Sequence, residues 1–200
     1  MRKLAKTIAV YTCLLFIFPC IILVWLEQKL SGREEVFSFF SQMLSLVPGK
    51  LGSYFRVAYY MQTLKQCSVN TFIAFGTFFS HRNVIIEENV GIGGYCIIGC
   101  AHLGKDVMVA SRVSITSGKV QHIAPNGRIT RNVALHVVSV GAKSWIGEGA
   151  VVMDDVGEEC IVAAGCVVSR RIPSKALAGG NPCRILKNKY YEGIMKANEK

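Results

Sequence analysis

Along two stretches of the chain, from Ile86 to Ile115 and from Val140 to Val168, an aliphatic residue returns at about every sixth position. A typical repeat reads Ile92-Gly-Gly-Tyr-Cys-Ile. This period fits neither an α-helix, which repeats about every 3.6 residues, nor a strand that alternates between two faces. A hexapeptide period is typical of a β-solenoid, in which each repeat supplies one short strand and a turn. The pattern therefore predicts an all-β solenoid of stacked coils.

The repeated aliphatic side chains are predicted to point inward, because stacked coils bury a continuous apolar column. A second inward position follows later in the repeat, and it is occupied by Val90, Cys96, Val107, Val113, Ser144, Ala150, Cys160 and Cys166. Free cysteine behaves as a small hydrophobic residue, so three cysteines are expected to fill space in the core. Upstream, Ile73, Phe79 and either Ile85 or Ile86 are expected to form a first, less regular coil.

The amino-terminal part of the chain has a different pattern. Nineteen residues from Ile8 to Leu26 carry no charge, and at about 1.5 Å per residue they would nearly cross a hydrocarbon core of ~30 Å as a helix. Pro19 predicts a kink. No small-x-small cleavage site follows Leu26, so the segment is not expected to be a cleaved signal peptide. It is either a membrane-associated helix or a helix packed against protein.

Two amphipathic helices are predicted after this segment. Apolar residues recur at helical spacing from Glu34 until Val47-Pro-Gly-Lys ends the pattern. A further helix over residues 54–64 carries Tyr and Phe on one side. That arrangement suits a membrane interface, and it also suits a cap over the open end of the solenoid. The chain thus divides into a helical region over residues 1–66, a solenoid over 67–187 and a basic tail over 188–200.

The charge balance points to anionic partners. The formal net charge is +10, from 23 Lys and Arg against 13 Asp and Glu, which suits anionic lipid head groups and phosphates. Nucleic acid is not expected as a partner, because no recognised binding motif accompanies the charge. The 8 cysteines contain no Cys-x-x-Cys pair, so reduced thiols in a cytoplasmic domain are predicted.

A polar segment over residues 117–139 interrupts the repeats, and inserted loops of this length usually carry function. The segment Ile115-Thr-Ser-Gly-Lys-Val-Gln-His resembles the one that carries the catalytic histidine in bacterial polysaccharide O-acetyltransferases, a branch of the hexapeptide-repeat acyltransferases. Four other segments share the resemblance: Val47-Pro-Gly-Lys-Leu-Gly with Arg56, Phe75-Gly-Thr, Trp145-Ile-Gly-Glu-Gly-Ala, and Gly180-Asn-Pro-Cys-Arg. The resemblance covers about residues 46–187. It implies a left-handed parallel β-helix, a homotrimer and acetyl-CoA as co-substrate, with no metal.

The resemblance makes His122 the expected general base. A sugar hydroxyl must lose its proton as it attacks a thioester, and neutral imidazole accepts a proton near physiological pH. The loop and the backbone at Gly147 are candidate donors to the carbonyl oxygen. His136, set among Val and Leu, is expected to be structural, and His81 has no clear role. The candidate contacts to the acceptor are His102, Ser117, Lys119 and Gln121.

The carboxy-terminal repeats resemble the part of these transferases that binds coenzyme A. The pantetheine arm is expected to run along the coil edge, and Arg side chains suit the phosphates of the cofactor. Arg171 departs from the acidic residue usual before Ile-Pro in this branch, and Cys183 replaces a usual Ala. The implied contacts are Trp145, Gly147, Glu148, Ala164, Ser169, Arg170, Arg171, Asn181, Arg184 and Lys187.

The sequence thus predicts an acetyl-CoA-dependent O-acetyltransferase. Its acceptor would be a sugar hydroxyl of a cell-surface polysaccharide, or of the lipid-linked or nucleotide-sugar precursor. Arg2, Lys3 and Lys6 favour a cytoplasmic amino terminus, and acetyl-CoA is cytoplasmic. We therefore expect a kinked, re-entrant or interfacial helix at the cytoplasmic face of the inner membrane.

Three alternatives remain open at this point. The same base would serve an amino-sugar N-acetyltransferase. A zinc hydratase of the γ-carbonic anhydrase type would need three converging histidines, and His81, His102 and His122 are spaced about one coil apart. The His-x4-His pair of that family is missing, however. The third alternative is a non-catalytic scaffold.

Overall fold

The computed structural model describes residues 2–124, 126–131 and 133–186. Within these ranges the chain forms three α-helices followed by sixteen short strands. Lys187, one of the expected cofactor contacts, and the basic tail over residues 188–200 lie outside the described residues.

The helices occupy the amino-terminal third of the chain: α1 spans Arg2–Leu30, α2 spans Glu35–Ser45 and α3 spans Gly49–Thr63. Helix α1 includes Pro19 without a break and extends beyond the predicted apolar segment at both ends. Over Leu4–Leu30 it is long and apolar enough to cross a membrane, by length and composition. The first strand begins at Gln66, three residues after the end of α3.

The strands follow in regular succession. They are β1 (Gln66–Cys67), β2 (Phe72–Ile73), β3 (Phe78–Phe79), β4 (Val84–Ile86), β5 (Gly91–Ile92), β6 (Ile97–Ile98), β7 (Ala101–Leu103), β8 (Met108–Val109), β9 (Ser114–Ile115), β10 (Val138–Val140), β11 (Trp145–Ile146), β12 (Val151–Val152), β13 (Ile161–Val162), β14 (Val167–Val168), β15 (Leu177–Gly179) and β16 (Arg184–Ile185).

These strands form the three faces of a β-solenoid of about six coils. Face A contains β1, β4, β7 and β10; face C contains β3, β6, β9, β12 and β14; face B contains β2, β5, β8, β11, β13, β15 and β16. All neighbouring strands are parallel except β15 and β16. Face A continues past β10 through single parallel bridges from Val140 to Val156 and from Val156 to Ile172. The predicted solenoid of parallel coils is confirmed.

The core follows the hexapeptide pattern. The repeated aliphatic residues and the eight residues of the second inward position are buried, among them Cys96, Cys160 and Cys166. In the first coils Ile86, not Ile85, points inward, together with Ile73 and Phe79. All eight cysteines are free. The predicted inward positions are therefore confirmed.

Helices α2 and α3 cover the first coil and close the open end of the solenoid. Arg56 of α3 is fully buried, and its Nε donates to the carbonyl oxygen of Ile73 on β2 at 3.1 Å. One terminal nitrogen of the same guanidinium donates to the carbonyl oxygens of Leu44 at 3.0 Å and Val47 at 2.8 Å. These oxygens lie at and just beyond the carboxyl end of α2, where carbonyl groups lack the regular i+4 partner of a helix. A single side chain thus joins α2, α3 and the first coil.

Helix α1 forms the outermost layer. It packs along α3, and five of its residues form the buried stripe: Val10, Cys13, Ile17, Ile21 and Val24. Near its carboxyl end, the carboxylate of Glu27 accepts the backbone N–H groups of Val36 at 2.9 Å and Phe37 at 3.4 Å. These N–H groups lie in the first turn of α2, where a negative charge is favourable.

Candidate functional site

The loop that interrupts the repeats leaves the solenoid between β9 and β10, at the corner between faces C and A. It folds back on itself as a small hairpin, in which Ile123 forms an antiparallel bridge with Ile129. The backbone N–H of Thr130 donates to the carbonyl oxygen of His122 at 2.9 Å. The hairpin fixes the backbone of His122 while its side chain is exposed. The imidazole is therefore accessible to a reactant from outside the solenoid.

The base of the loop is tightly built. Ser117 is buried, and its Oγ accepts the backbone N–H of Cys100 at 2.9 Å. Gly118 has a φ of +89°, and a Cβ there would lie 3.0 Å from Cβ of His136. The side-chain amide of Gln121 donates to the carbonyl oxygen of Gly118 at 3.0 Å. Ser117 thus has a structural contact, whereas Gln121 stays at the surface of the loop base.

A cavity of about 290 Å³ lies beside this loop base, lined by Gly118, Lys119, Val120, His136, Val137, Val138, Met153, Asp154 and Asp155. The Nζ of Lys119 lies 2.6 Å from Oδ2 of Asp154. Burial alone would raise the pKa of Asp154, but the hydrogen bonds from Lys119 and from the backbone N–H of Asp155 lower this pKa below the ordinary 3.8. The cavity therefore contains a carboxylate that stays ionised at neutral pH.

A polar groove on face A continues from this cavity. His102 projects outward from β7, and its Nε2 lies 2.8 Å from Oε1 of Glu87. The second oxygen of Glu87 accepts the backbone N–H of Lys105 at 2.9 Å. Asp155 lines both the groove and the cavity, and it accepts the N–H of Ser139 at 2.9 Å. Imidazole and carboxylate groups at this spacing can bind several hydroxyl groups of one ligand.

Part of the expected cofactor set lies on the other edge of face C. Gly147, Glu148 and Ala164 occupy the corners between faces B and C. Asn181 lies in the turn between β15 and β16, whose neighbours Gly180 and Cys183 form hydrogen bonds with Val167 of face C. The corners stack so closely that a Cβ added at Gly147 would lie 2.5 Å from the backbone nitrogen of Ala164. The N–H of Gly147 donates to the carbonyl oxygen of Val162 at 2.7 Å. This N–H was one candidate donor to the carbonyl oxygen of a reactant, and in this chain it is engaged within the solenoid.

Two further expected contacts lie on face B. Trp145 points outward from β11 with 41% of its surface exposed. Arg184 is exposed on β16, next to Gly179 of the antiparallel strand β15. These residues therefore extend the set at the corners between faces B and C.

The remaining expected contacts lie at the opposite edge of face C, next to face A. Ser169, Arg170 and Arg171 form the corner between faces C and A, two coils beyond the loop. Arg171 lines the polar groove together with His102. Within a single chain, His102, Lys119 and Arg171 therefore lie along face A and its corner with face C. Trp145 and Arg184 lie apart from them, on face B.

The histidines do not converge. Nδ1 of His81 lies 2.9 Å from Glu34, His102 is paired with Glu87, and His122 is on the exposed hairpin. In the ranges that the structure describes, no group of three or more His, Cys, Asp and Glu side chains is placed to hold a metal ion.

Glu87, Asp154 and Asp155 were not found from the sequence. A signal exists for Glu87, because one coil is 17 residues long where Ile85 pairs with His102. A glutamate 15 residues before a histidine on the same face is therefore a candidate partner in the neighbouring coil. No comparable spacing identifies the two aspartates.

Comparison with known proteins agrees with the resemblance stated above. No family model matches the chain. A putative lipopolysaccharide biosynthesis O-acetyl transferase of Escherichia coli (strain K12), WbbJ, is 28% identical over 127 residues, covering 57% of this chain and 65% of that protein. Mitochondrial gamma carbonic anhydrase 1 of Arabidopsis thaliana is 32% identical over 125 residues, covering 52% of this chain and 46% of that protein. The chain thus spans less than two thirds of the length of these curated relatives.

Among solved structures, galactoside acetyltransferase in complex with coenzyme A superposes with a TM-score of 0.57 at 17% identity, covering 80% of this chain and 83% of that chain. This likeness shows a common fold, and the predicted left-handed parallel β-helix is confirmed. The predicted similarity to hexapeptide-repeat O-acetyltransferases is confirmed by the relative and the structure together.

Proposed function

We propose that this chain is an acetyl-CoA-dependent O-acetyltransferase. Its acceptor would be a sugar hydroxyl of a cell-surface polysaccharide, or of its lipid-linked or nucleotide-sugar precursor. The observation that carries the proposal is the exposed His122 on a hairpin that interrupts this solenoid. The similarity to a lipopolysaccharide O-acetyltransferase and the fold shared with a coenzyme A-bound acetyltransferase support it.

In this mechanism His122 is the general base. Its neutral imidazole accepts the proton of the sugar hydroxyl while the hydroxyl oxygen attacks the thioester carbonyl carbon. The carbon–sulfur bond then breaks, the acetyl group remains on the sugar oxygen, and the imidazolium can return the proton to the departing sulfur. Because the side chain of His122 is exposed, both reactants can reach it from the outside of the solenoid.

The polar strip along face A is the proposed acceptor site. His102 lines the groove, Lys119 lines the cavity, and Asp155 joins the two. Gln121 lies next to them at the loop base, where its amide donates to Gly118. Sugar hydroxyls both donate and accept, so a strip of mixed imidazole, ammonium, amide and carboxylate groups suits them. Ser117 is left out of the proposed contacts, because its hydroxyl is buried against Cys100.

The proposed cofactor site lies between two chains. Trp145, Gly147, Glu148, Ala164, Asn181 and Arg184 would line one wall, and Ser169, Arg170 and Arg171 would line the other. These walls are opposite edges of face C, so only a contact between the edges of different chains unites them. A head-to-tail contact forms a closed ring when its rotation closes on itself, and we propose that three chains close it as a homotrimer. Exposed Arg170, Arg171 and Arg184 are then available to cofactor phosphates.

A zinc hydratase is the second candidate, since a gamma carbonic anhydrase is 32% identical over 125 residues. Such a site needs three converging imidazoles. His81 and His102 are instead each bound to a different glutamate, at 2.9 and 2.8 Å. The arrangement of the histidines within one chain therefore favours the transferase.

The proposal is tested by following free thiol release from acetyl-CoA with a panel of hexoses, hexosamines and nucleotide sugars. His122→Ala should lower the rate with the best acceptor by about 10²- to 10⁴-fold, the usual contribution of a general base, while coenzyme A still binds. The matched control is Arg128→Ala, an exposed residue of the same hairpin, which should react as the unchanged chain does.

The panel also separates the alternatives. Acceptance of hexosamines alone, at the amino group, would assign N-acetylation. An unchanged rate in His122→Ala would contradict the proposed base. Hydration of CO₂ that depends on added zinc, without thiol release by any acceptor, would favour the hydratase.

A further inference from the structure

The outward side of α1 is apolar and nothing in the described chain covers it. With about 100° of rotation per residue, its five buried residues fall within an arc of roughly 80°, whereas its exposed large apolar residues cover roughly 180°. These exposed residues are Leu4, Ile8, Tyr11, Leu15, Phe16, Phe18, Ile22, Leu23, Trp25, Leu26 and Leu30. An amphipathic helix that packs against protein needs an apolar stripe of about 100°. A second packed helix would therefore leave much of this surface in water.

Both ends of α1 are tied to the first coil. The Nζ of Lys6 donates to the carbonyl oxygen of Thr71 at 2.8 Å, between β1 and β2. At the other end Gln28 accepts a hydrogen bond from the guanidinium of Arg82, just before β4. Trp25 adds a hydrogen bond from Nε1 to the carbonyl oxygen of Gln62 at 3.3 Å. The helix therefore lies across the end of the solenoid and does not project away from it.

Helix α2 extends this apolar surface. An open groove lined by Leu23, Glu27, Glu35, Val36, Phe39 and Phe40 joins α1 to α2. Phe39 and Met43 are exposed on α2, and Leu46 and Leu51 are exposed beyond it. The exposed residues of α1 together with these four form one face, which we name the end face.

The charges around the end face favour an anionic surface. Arg33 and Glu35 lie 3.5 Å apart and offset each other, and the carboxylate of Glu27 is engaged with the first turn of α2. Lys29 and Lys50 are exposed, and neither forms an ion pair within the described residues. These two lysines give the apolar face a positive edge, as in helices that lie at the surface of anionic membranes.

We infer that the end face docks on a bilayer that contains anionic lipid, with α1 lying in the membrane plane and not across it. A spanning α1 would have to abandon its buried stripe on α3 and its contacts at both ends. The in-plane helix keeps these contacts and places its wide apolar arc among lipid chains. This arrangement goes beyond the proposed function and does not depend on it.

The first test is flotation of the full chain with vesicles of phosphatidylcholine alone or with phosphatidylglycerol added. Binding should require the end face and increase with the anionic lipid. Leu15→Glu with Ile22→Glu should lower the partition at least about 10-fold, because two apolar side chains no longer enter the bilayer. Ile129→Glu, on the loop hairpin and 90% exposed, is the matched control and should float as the unchanged chain does.

The second test distinguishes an in-plane helix from a spanning one. In vesicle-bound Arg2→Cys and Ser31→Cys chains, a membrane-impermeant maleimide added outside should label both positions equally, as read by peptide mass spectrometry. Protection of one position until detergent is added would overturn the inference. Unchanged flotation of the double glutamate variant would also overturn the inference. If that variant still bound vesicles but changed its oligomeric state, a second copy of the chain, and not the bilayer, would cover the end face.

Discussion

Three of the acidic side chains near the solenoid surface have specific partners. Glu34 is bound to His81, Glu87 to His102, and Asp154 to Lys119. These pairs fix two imidazoles in place. Within the described ranges no side chain is bound to the imidazole of His122, which suits a group that must exchange its proton with a reactant.

The Glu34 pair gives a prediction on pH. Burial alone would raise the pKa of Glu34, but hydrogen bonds from His81 and from the backbone N–H of Arg82 lower this pKa below the ordinary 4.5. A lowered pKa in the folded state means that the stabilisation is present above about pH 4.5 and is lost as the pH falls through the folded value. Glu34→Gln should therefore lower Tm by roughly 2–4 °C at pH 7 and reduce the loss of stability in acid.

Thermal unfolding between pH 3 and pH 7 measures this effect. The control is Glu35→Gln, because the Glu35 carboxylate is 76% exposed beside Arg33 and an exposed ion pair contributes little. Equal changes in Tm for the two variants across this pH range would contradict the prediction.

At the scale of the elements, the solenoid was predictable because every coil repeats the same pattern of buried, inward-facing positions. Apart from Phe79 in the first coil, the repeated inward positions hold aliphatic or small residues, and these residues are buried. The helices were less predictable. Helix α1 reaches from Arg2 to Leu30, because charged residues can continue a helix after its apolar segment ends. The same helix also includes Pro19, where the sequence predicts a kink.

The junction of the helices with the first coil gives a prediction on stability. Arg56 donates to three carbonyl oxygens at the end of α2 and to Ile73. Arg56→Met would remove the side-chain donor from these buried oxygens, and those of Val47 and Ile73 would lose the donor that Arg56 supplies. The loss should cost about 2–4 kcal/mol of unfolding free energy. Denaturant unfolding measures the change. Lys50→Met, an exposed change in the same helix, should stay within about 0.5 kcal/mol; an equally small effect of Arg56→Met would contradict the role given to this side chain.

The candidate site was predictable only in part. The loop and His122 stand out in the sequence because they break a strict repeat. The polar groove does not stand out in the sequence, because it depends on which residues of successive coils lie side by side. Glu87 reaches His102 only through the pairing of β4 with β7, and Asp155 comes from a later coil. The single chain further separates Arg171 from Arg184, on opposite edges of one face.

At the scale of the whole molecule this separation predicts complementation between inactive chains. If the cleft takes His122 from one chain and Arg184 from the next, a ring made only of His122→Ala chains has impaired activity. A ring made only of Arg184→Ala chains is impaired as well. After mixing, unfolding and refolding at equal amounts, about one cleft in four combines two unchanged walls in a three-membered ring. Thiol release should then return to roughly a quarter of the rate of the unchanged protein. A mixture no more active than its components would place both residues in one chain's own site.

The most direct measurement is a calorimetric titration of the detergent-solubilised protein with coenzyme A, because it needs no knowledge of the acceptor. We predict saturable binding of one coenzyme A per chain with a micromolar Kd. Arg184→Ala should weaken it about 10-fold or more through the loss of a charged hydrogen bond, whereas Arg128→Ala should leave it unchanged. A folded, assembled protein that binds no coenzyme A would contradict the proposed acetyltransferase function.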